Sequence, residues 1–222
     1  MEKYTYLILN IFTILGPLAL SFDKKVNFVS KWKWAVLALI PSGLIYLAWD
    51  VLFTNWEIWG FNPDYLTGIN IGPLPLEEVL FFFTVPFACL FIYECLRQYF
   101  PKVKSPTYLT GIVLLIIFIT YLFFGSDKTY TLWASAAAIG TLAIDYFITK
   151  WKTIRKFTPA FLVCLIPFFI INGFLTALPV VWYDNDFNLG IRLGTIPIED
   201  AVYLFGLLLP TLIIYTKLKS KK

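Results

Sequence analysis

Seven stretches of the chain are apolar almost without interruption, at roughly 4–22, 34–53, 78–97, 107–124, 129–149, 158–178 and 199–216. Each meets or approaches the ~20 residues that a helix needs to cross a hydrocarbon core. The runs are continuous and do not alternate every second residue, so they predict helices and not the strands of a membrane barrel. Basic residues fall unevenly between them. Lys24, Lys25, Lys31 and Lys33 follow the first run, and Arg97, Lys102 and Lys104 the third. Lys150, Lys152, Arg155 and Lys156 follow the fifth, and Lys217, Lys219, Lys221 and Lys222 the seventh. Fifteen of the eighteen Lys and Arg residues thus occupy alternate connections, which leaves Lys3, Lys128 and Arg192 for the other face. The positive-inside rule then predicts an N-terminus outside and a C-terminus in the cytoplasm. One span too many or too few would scramble this alternation, which supports seven.

One stretch occurs twice within the pattern. Residues 68–78 read Gly-Ile-Asn-Ile-Gly-Pro-Leu-Pro-Leu-Glu-Glu and residues 190–200 read Gly-Ile-Arg-Leu-Gly-Thr-Ile-Pro-Ile-Glu-Asp, a shift of 122 positions with five of eleven residues identical. Each copy delivers a Pro, an aliphatic residue and two adjacent carboxylates to the start of an apolar run. Leu39-Ile40-Pro41 matches Leu165-Ile166-Pro167, and Gly16 and Asp23 have counterparts in Gly140 and Asp145. Spans one to three therefore repeat as spans five to seven, with span four as connector. Three spans plus a connector return the chain to its starting side, so the copies run parallel, related by an axis along the membrane normal. The expected architecture is an all-α polytopic membrane protein. Its first three-helix repeat is 1–100, its connector 101–128 and its second repeat 129–222, with a central cavity between the repeats.

Composition agrees: 59% of residues are hydrophobic and 14% charged, against about 25% charged in soluble domains. The net charge of +4 is explained by membrane orientation and argues for no nucleic-acid partner. The first run starts almost at Met1 and no small-residue cleavage site follows Ser21-Phe22, so it is read as a retained span. Cys89, Cys95 and Cys164 lie in apolar runs without metal-type spacing and read as small buried hydrophobes. Histidine is absent, which excludes His-ligated haem, the usual zinc sites and His-activated nucleophiles. No metal is expected.

Glu77-Glu78 and Glu199-Asp200 have a bland reading as helix starts, where Pro is favoured in the first turn and acids meet free N–H groups and the positive end of the dipole. Duplication with matching flanks favours acid/base chemistry, because capping alone needs neither both acids nor the preceding glycines. Adjacent helical residues point about 100° apart, so one acid of each pair faces the cavity and the other supports it or takes backbone N–H bonds. Asp50, near the outer end of span two, and Asn172, in span six, are secondary candidates, since intramembrane polar groups usually face the bundle interior. Glu94 is expected to pair with Arg97, and Asp23 and Asp145 to be structural. Phe81, Phe82, Trp49, Tyr203 and Phe205 are candidate walls; aromatic faces carry negative potential and stabilise a cation. Carboxylic acids with aromatic walls suit a reaction that passes through a carbocation.

The Pro-Leu-Glu-Glu-x-x-x-Phe-Phe stretch at 75–83, the Pro-Ile-Glu-Asp stretch at 197–200, Trp49-Asp50, Asn172-Gly173 and the two three-span units resemble the membrane-integral lycopene cyclase family. That family occurs as two small subunits in bacteria and as one fused chain in archaea and other bacteria, and the sequence is similar to the fused form over its whole length. The resemblance implies an isomerase (an intramolecular lyase) of carotenoid biosynthesis in a bacterial or archaeal cytoplasmic membrane. It would convert the linear end groups of lycopene to β-ionone rings, giving γ-carotene or β-carotene without redox change. The implied acid/base set is Glu77, Glu78, Glu199 and Asp200, with Asp50 and Asn172 behind them. No cofactor is expected, because there is no Gly-x-Gly-x-x-Gly nucleotide loop. The partners would be membrane-dissolved lycopene and the bilayer, with other carotenoid enzymes or a second copy of the chain as further candidates. The rival readings are a related end-group enzyme such as a hydratase and a proton-coupled transporter. A retinal protein is disfavoured because the first Lys after the second acidic motif is Lys217, at the end of span seven.

Overall fold

The structure, a computed structural model, describes residues 2–220; Met1 and the basic residues Lys221 and Lys222 lie outside the described residues. Within them, seven helices are long and apolar enough to cross a membrane. They are α1 (Thr5–Leu20), α2 (Trp32–Asn55), α3 (Leu76–Tyr99), α4 (Thr107–Phe124), α5 (Thr129–Thr149), α6 (Ile154–Ala177) and α7 (Glu199–Ser220). Each apolar run is one helix. Some helices overrun the runs, α6 by starting at Ile154 and α7 by ending at Ser220, because backbone hydrogen bonding continues where hydropathy stops.

The α2–α3 and α6–α7 connections fold alike. The first holds β1 (Trp59–Phe61), a 3-10 turn at Pro63–Tyr65, β2 (Asn70–Ile71) and β3 (Leu74–Pro75). The second holds β4 (Val181–Tyr183), a 3-10 turn at Asn185–Phe187, β5 (Arg192–Leu193) and β6 (Ile196–Pro197). β2 and β3 form one hairpin, β5 and β6 the other. Gly72 and Gly194 open the two-residue hairpin loops at φ +64° and +65°, a region that a side chain rarely enters and that such hairpins require.

β1 pairs antiparallel with β4, with Trp59 opposite Tyr183, Gly60 opposite Trp182 and Phe61 opposite Val181. Each strand is the repeat image of the other, displaced by the same 122 positions as the acidic motif. The pair is therefore centred on its own symmetry mates, Gly60 and Trp182, and a pseudo-twofold axis passes between them. The two cannot be alike: the Trp182 indole lies where a Cβ on Gly60 would stand.

The same rotation interlocks the helices. α1 packs along α3 and α5 along α7, but α2 packs along α7 of the other half as well as its own α3, and α6 packs more on α3 than on its own α7. The connector α4 lies outside, against α5 and α6, with only Gly111 and Phe118 buried. At the end of α3 away from the acidic motif, the buried Glu94 accepts from Lys31 (2.8 Å), Lys219 (2.6 Å), Arg97 (3.4 Å) and the Tyr215 hydroxyl (3.0 Å).

Candidate active site

Both acidic pairs begin a helix, Glu77 and Glu78 in the first turn of α3, Glu199 and Asp200 in that of α7. The prolines before them are strand residues, a correction to the expectation of first-turn proline. Pro75 is extended, at φ −66° and ψ 149°, and stands opposite Asn70, as Pro197 stands opposite Arg192. Their fixed φ closes the hairpin one residue before α3 opens and two before α7.

The angular offset within each pair separates two environments. Glu77 and Glu199 turn into the folded connections: Glu77 Oε1 accepts the Thr67 N–H (2.7 Å), and Glu199 Oε1 accepts the Leu189 N–H (2.8 Å) and the Thr131 hydroxyl (2.8 Å). Asn10 Nδ2 also donates to the Glu77 backbone carbonyl (2.9 Å), tying α1 to this helix start. Glu78 and Asp200 instead face a common chamber between the two halves. Asp50, Asn172, Tyr6, Tyr130 and Tyr183 complete its polar wall, and Trp59, Phe81, Phe82, Phe168 and Tyr203 are among its apolar lining residues.

The chamber is symmetric in position and asymmetric in chemistry. Asp50 and Asn172 are repeat mates at the 122-residue shift, as are Glu78 and Asp200; the same shift sets Leu39-Ile40-Pro41 four positions out of register with Leu165-Ile166-Pro167, so those two stretches, matched in sequence, are not structural counterparts. Asp200 accepts from the Tyr130 hydroxyl (2.7 Å), Asn172 Nδ2 (2.7 Å) and the Tyr183 hydroxyl (3.0 Å). Among the described residues, Glu78 accepts from the Tyr6 hydroxyl alone, and it shares the chamber with Asp50. Asp50 accepts from Trp59 Nε1 (2.6 Å) on Oδ1, and its buried Oδ2 has no partner among the described residues. One half thus presents a carboxylate ringed by three donors, the other two carboxyls with one donor each. Tyr183 lies on β4, outside the helices; burial, and then the neighbouring Asp200, raises its phenol well above the ordinary value, so it remains a donor.

Of the aromatic residues expected as walls, Phe81, Phe82 and Tyr203 line the chamber. Trp49 stands behind the wall, its ring 4.9 Å from that of Tyr203. Phe205 is placed elsewhere: two residues beyond Tyr203 it points to the opposite side of α7 and packs on Phe118, Phe157 and Phe161. Tyr6, Tyr130 and Tyr183 were not foreseen. In sequence they are ordinary interfacial aromatics, and the available signal was that Tyr6 and Tyr130 share the 124-residue offset of Gly16 and Gly140.

The lycopene cyclase family model matches residues 3–96 and 127–218, which cover α1–α3 and α5–α7 and leave α4 between them. No curated protein and no solved structure matches. A match that spans both repeats, on a chain of seven membrane-length helices, shows that the chain belongs to the lycopene cyclase family, membrane enzymes of carotenoid biosynthesis that cyclise lycopene.

Proposed function

We propose that the chain is a redox-neutral isomerase that closes β-ionone rings on lycopene at one centre built from both repeats, with Glu78 supplying the proton and Asp200 receiving it. The observation that carries this reading is the unequal donor count around the two carboxyls on one chamber. Three donors on Asp200 are the inventory of an ionised carboxylate, which accepts and cannot donate. Asp50 and Glu78 share an apolar chamber in which two neighbouring carboxylates repel, so that pair retains a proton to give.

The chemistry then balances without an oxidant or reductant. The Glu78 proton adds to the terminal double bond of the end group and leaves a tertiary cation. The neighbouring double bond attacks that cation, forming the carbon–carbon bond that closes the six-membered ring and moving the positive charge into it. Loss of an adjacent proton to Asp200 regenerates a double bond, and return of a proton to the Glu78–Asp50 pair resets the site. Phe81, Phe82, Trp59 and Tyr203 face the cation with their π-clouds. Glu77 and Glu199 act through the backbone, holding the connections that roof the chamber. In a bacterial or archaeal cytoplasmic membrane, with the C-terminus inside, this centre opens near the outer leaflet.

Expression in a lycopene-accumulating bacterial host is expected to turn red cells orange-yellow, with γ-carotene or β-carotene on chromatography. Unchanged lycopene beside abundant membrane-inserted protein would refute the reading.

A further inference from the structure

A second cavity runs between α1, α3 and α6 and is separated from the chamber by Phe168, which lines both. Its walls are apolar: Gly16 and Pro17 on α1, Val85, Ala88 and Ile92 on α3, and Ile171 on α6. Cys89 and Cys164 stand between it and a small further apolar cavity deeper in the bundle, lining both. From Glu78 to Ile92 the path follows α3 for roughly 21 Å at 1.5 Å per residue. The rim residues Phe12, Leu20 and Ile170 are exposed on the outer surface of the helices, so the groove opens sideways, toward lipid.

The seam related to this groove by the pseudo-twofold axis, between α5, α7 and α2, is filled. Phe168 and Ile171 have Tyr46 and Trp49 as repeat mates at the 122-residue shift, and Cys89 and Cys164 have Thr211 and Ser42. The Tyr46 hydroxyl sits against Gly206, where a Cβ would stand. Trp49 and Tyr46 pack on Tyr203 at 4.9 and 4.8 Å, and Thr211 Oγ1 donates to Ser42 Oγ at 2.6 Å. One fold thus has two equivalent seams, one closed by aromatic packing and a hydroxyl pair, the other left open beside the carboxyls.

We infer that the α1–α3–α6 groove is the subsite for the unreacted arm of the polyene, which reaches it laterally from the bilayer while its end group lies in the chamber. This rests on the cyclisation reading and adds to it where the rest of the substrate goes. A linear polyene far longer than the chamber needs an apolar slot beside it, reached past the Phe168 ring that the two cavities share, and the closed seam leaves one such slot among the described residues. The enzyme then processes one end group per binding event, and a second ring requires release and rebinding in the opposite direction.

The test compares lycopene with a short polyene carrying the same end group but too short to reach Ala88. Gly16→Phe and Ile171→Trp narrow the groove; a Cβ on Gly16 meets nothing within 4 Å, so the first change starts from open space. Gly140→Phe, at the repeat mate, meets equally open space and is the control. The narrowing variants are expected to lose roughly tenfold or more in kcat/KM on lycopene, the scale at which a filled apolar subsite discriminates. They keep wild-type turnover of the short polyene, and Gly140→Phe keeps both. Unchanged lycopene turnover, as expected of a groove that holds only lipid chains, overturns the proposal, as does an equal loss on both substrates. A wild-type protein that cyclises neither substrate instead removes the cyclase reading on which the subsite rests.

Discussion

Glu77 and Glu78 are adjacent and chemically identical, yet one bonds a loop amide and the other faces a cavity. An acid that moves a proton in the rate-limiting steps contributes about 10²–10⁴ in rate. Glu78→Gln and Asp200→Asn are therefore expected to lower cyclisation in isolated membranes by about that factor while protein levels hold. Glu77→Gln keeps a side-chain oxygen for the Thr67 N–H and is expected to stay within a few-fold of wild type. Equal losses at 77 and 78 would show that the division within the pair is wrong. Tyr183→Phe removes one of three donors from Asp200, worth roughly tenfold for a hydrogen bond to a charged group. Because the Tyr183 phenol is raised by burial and by Asp200, it does not deprotonate in the accessible range, and the alkaline side of the wild-type pH–rate profile is expected to be unchanged in this variant. The spacing of the pairs already implies that their members face different ways; which member faces in depends on how α1 and α5 approach the helix starts, and those approaches join residues some seventy positions apart.

At the scale of elements, the two ends of α3 are held differently. One end is shaped by a hairpin whose glycines are visible in sequence. The other is clamped through Glu94, for which i,i+3 spacing points to Arg97, while the shorter contacts come from Lys31 and Lys219 on other segments. Local spacing finds the neighbour on the same helix; distant cations with long flexible stems reach the buried carboxylate only after the helices pack. Glu94→Gln leaves three cations facing one neutral amide. It is expected to destabilise the protein by about 2 kcal/mol, below the usual cost of breaking a buried pair because the lysines are partly solvated. A lowered thermal midpoint in detergent checks this, and no change would show that the cations are held by other groups.

For the whole molecule, the exchange of partners between repeats matters most. α2 leans on α7 and α6 on α3, so each half by itself leaves apolar helix faces and half a chamber uncovered. Separating the chain within 101–106, between α3 and α4, is expected to give two inactive fragments that recover cyclisation when expressed together; activity in either fragment alone would contradict a centre shared between halves. The sequence by itself determined the seven helices, the duplication and the carboxyl pairs, because hydrophobic run length, repeat offset and charge alternation are properties of order along a chain. The tertiary structure alone decided that Glu78 and Asp200 share one chamber, that tyrosines from α1, α5 and β4 complete it, and that one of two equivalent seams stays open. Those outcomes depend on the shapes of residues such as Phe168 and Tyr46 meeting across the pseudo-twofold axis, and close packing between distant segments leaves no periodic trace in the order of residues.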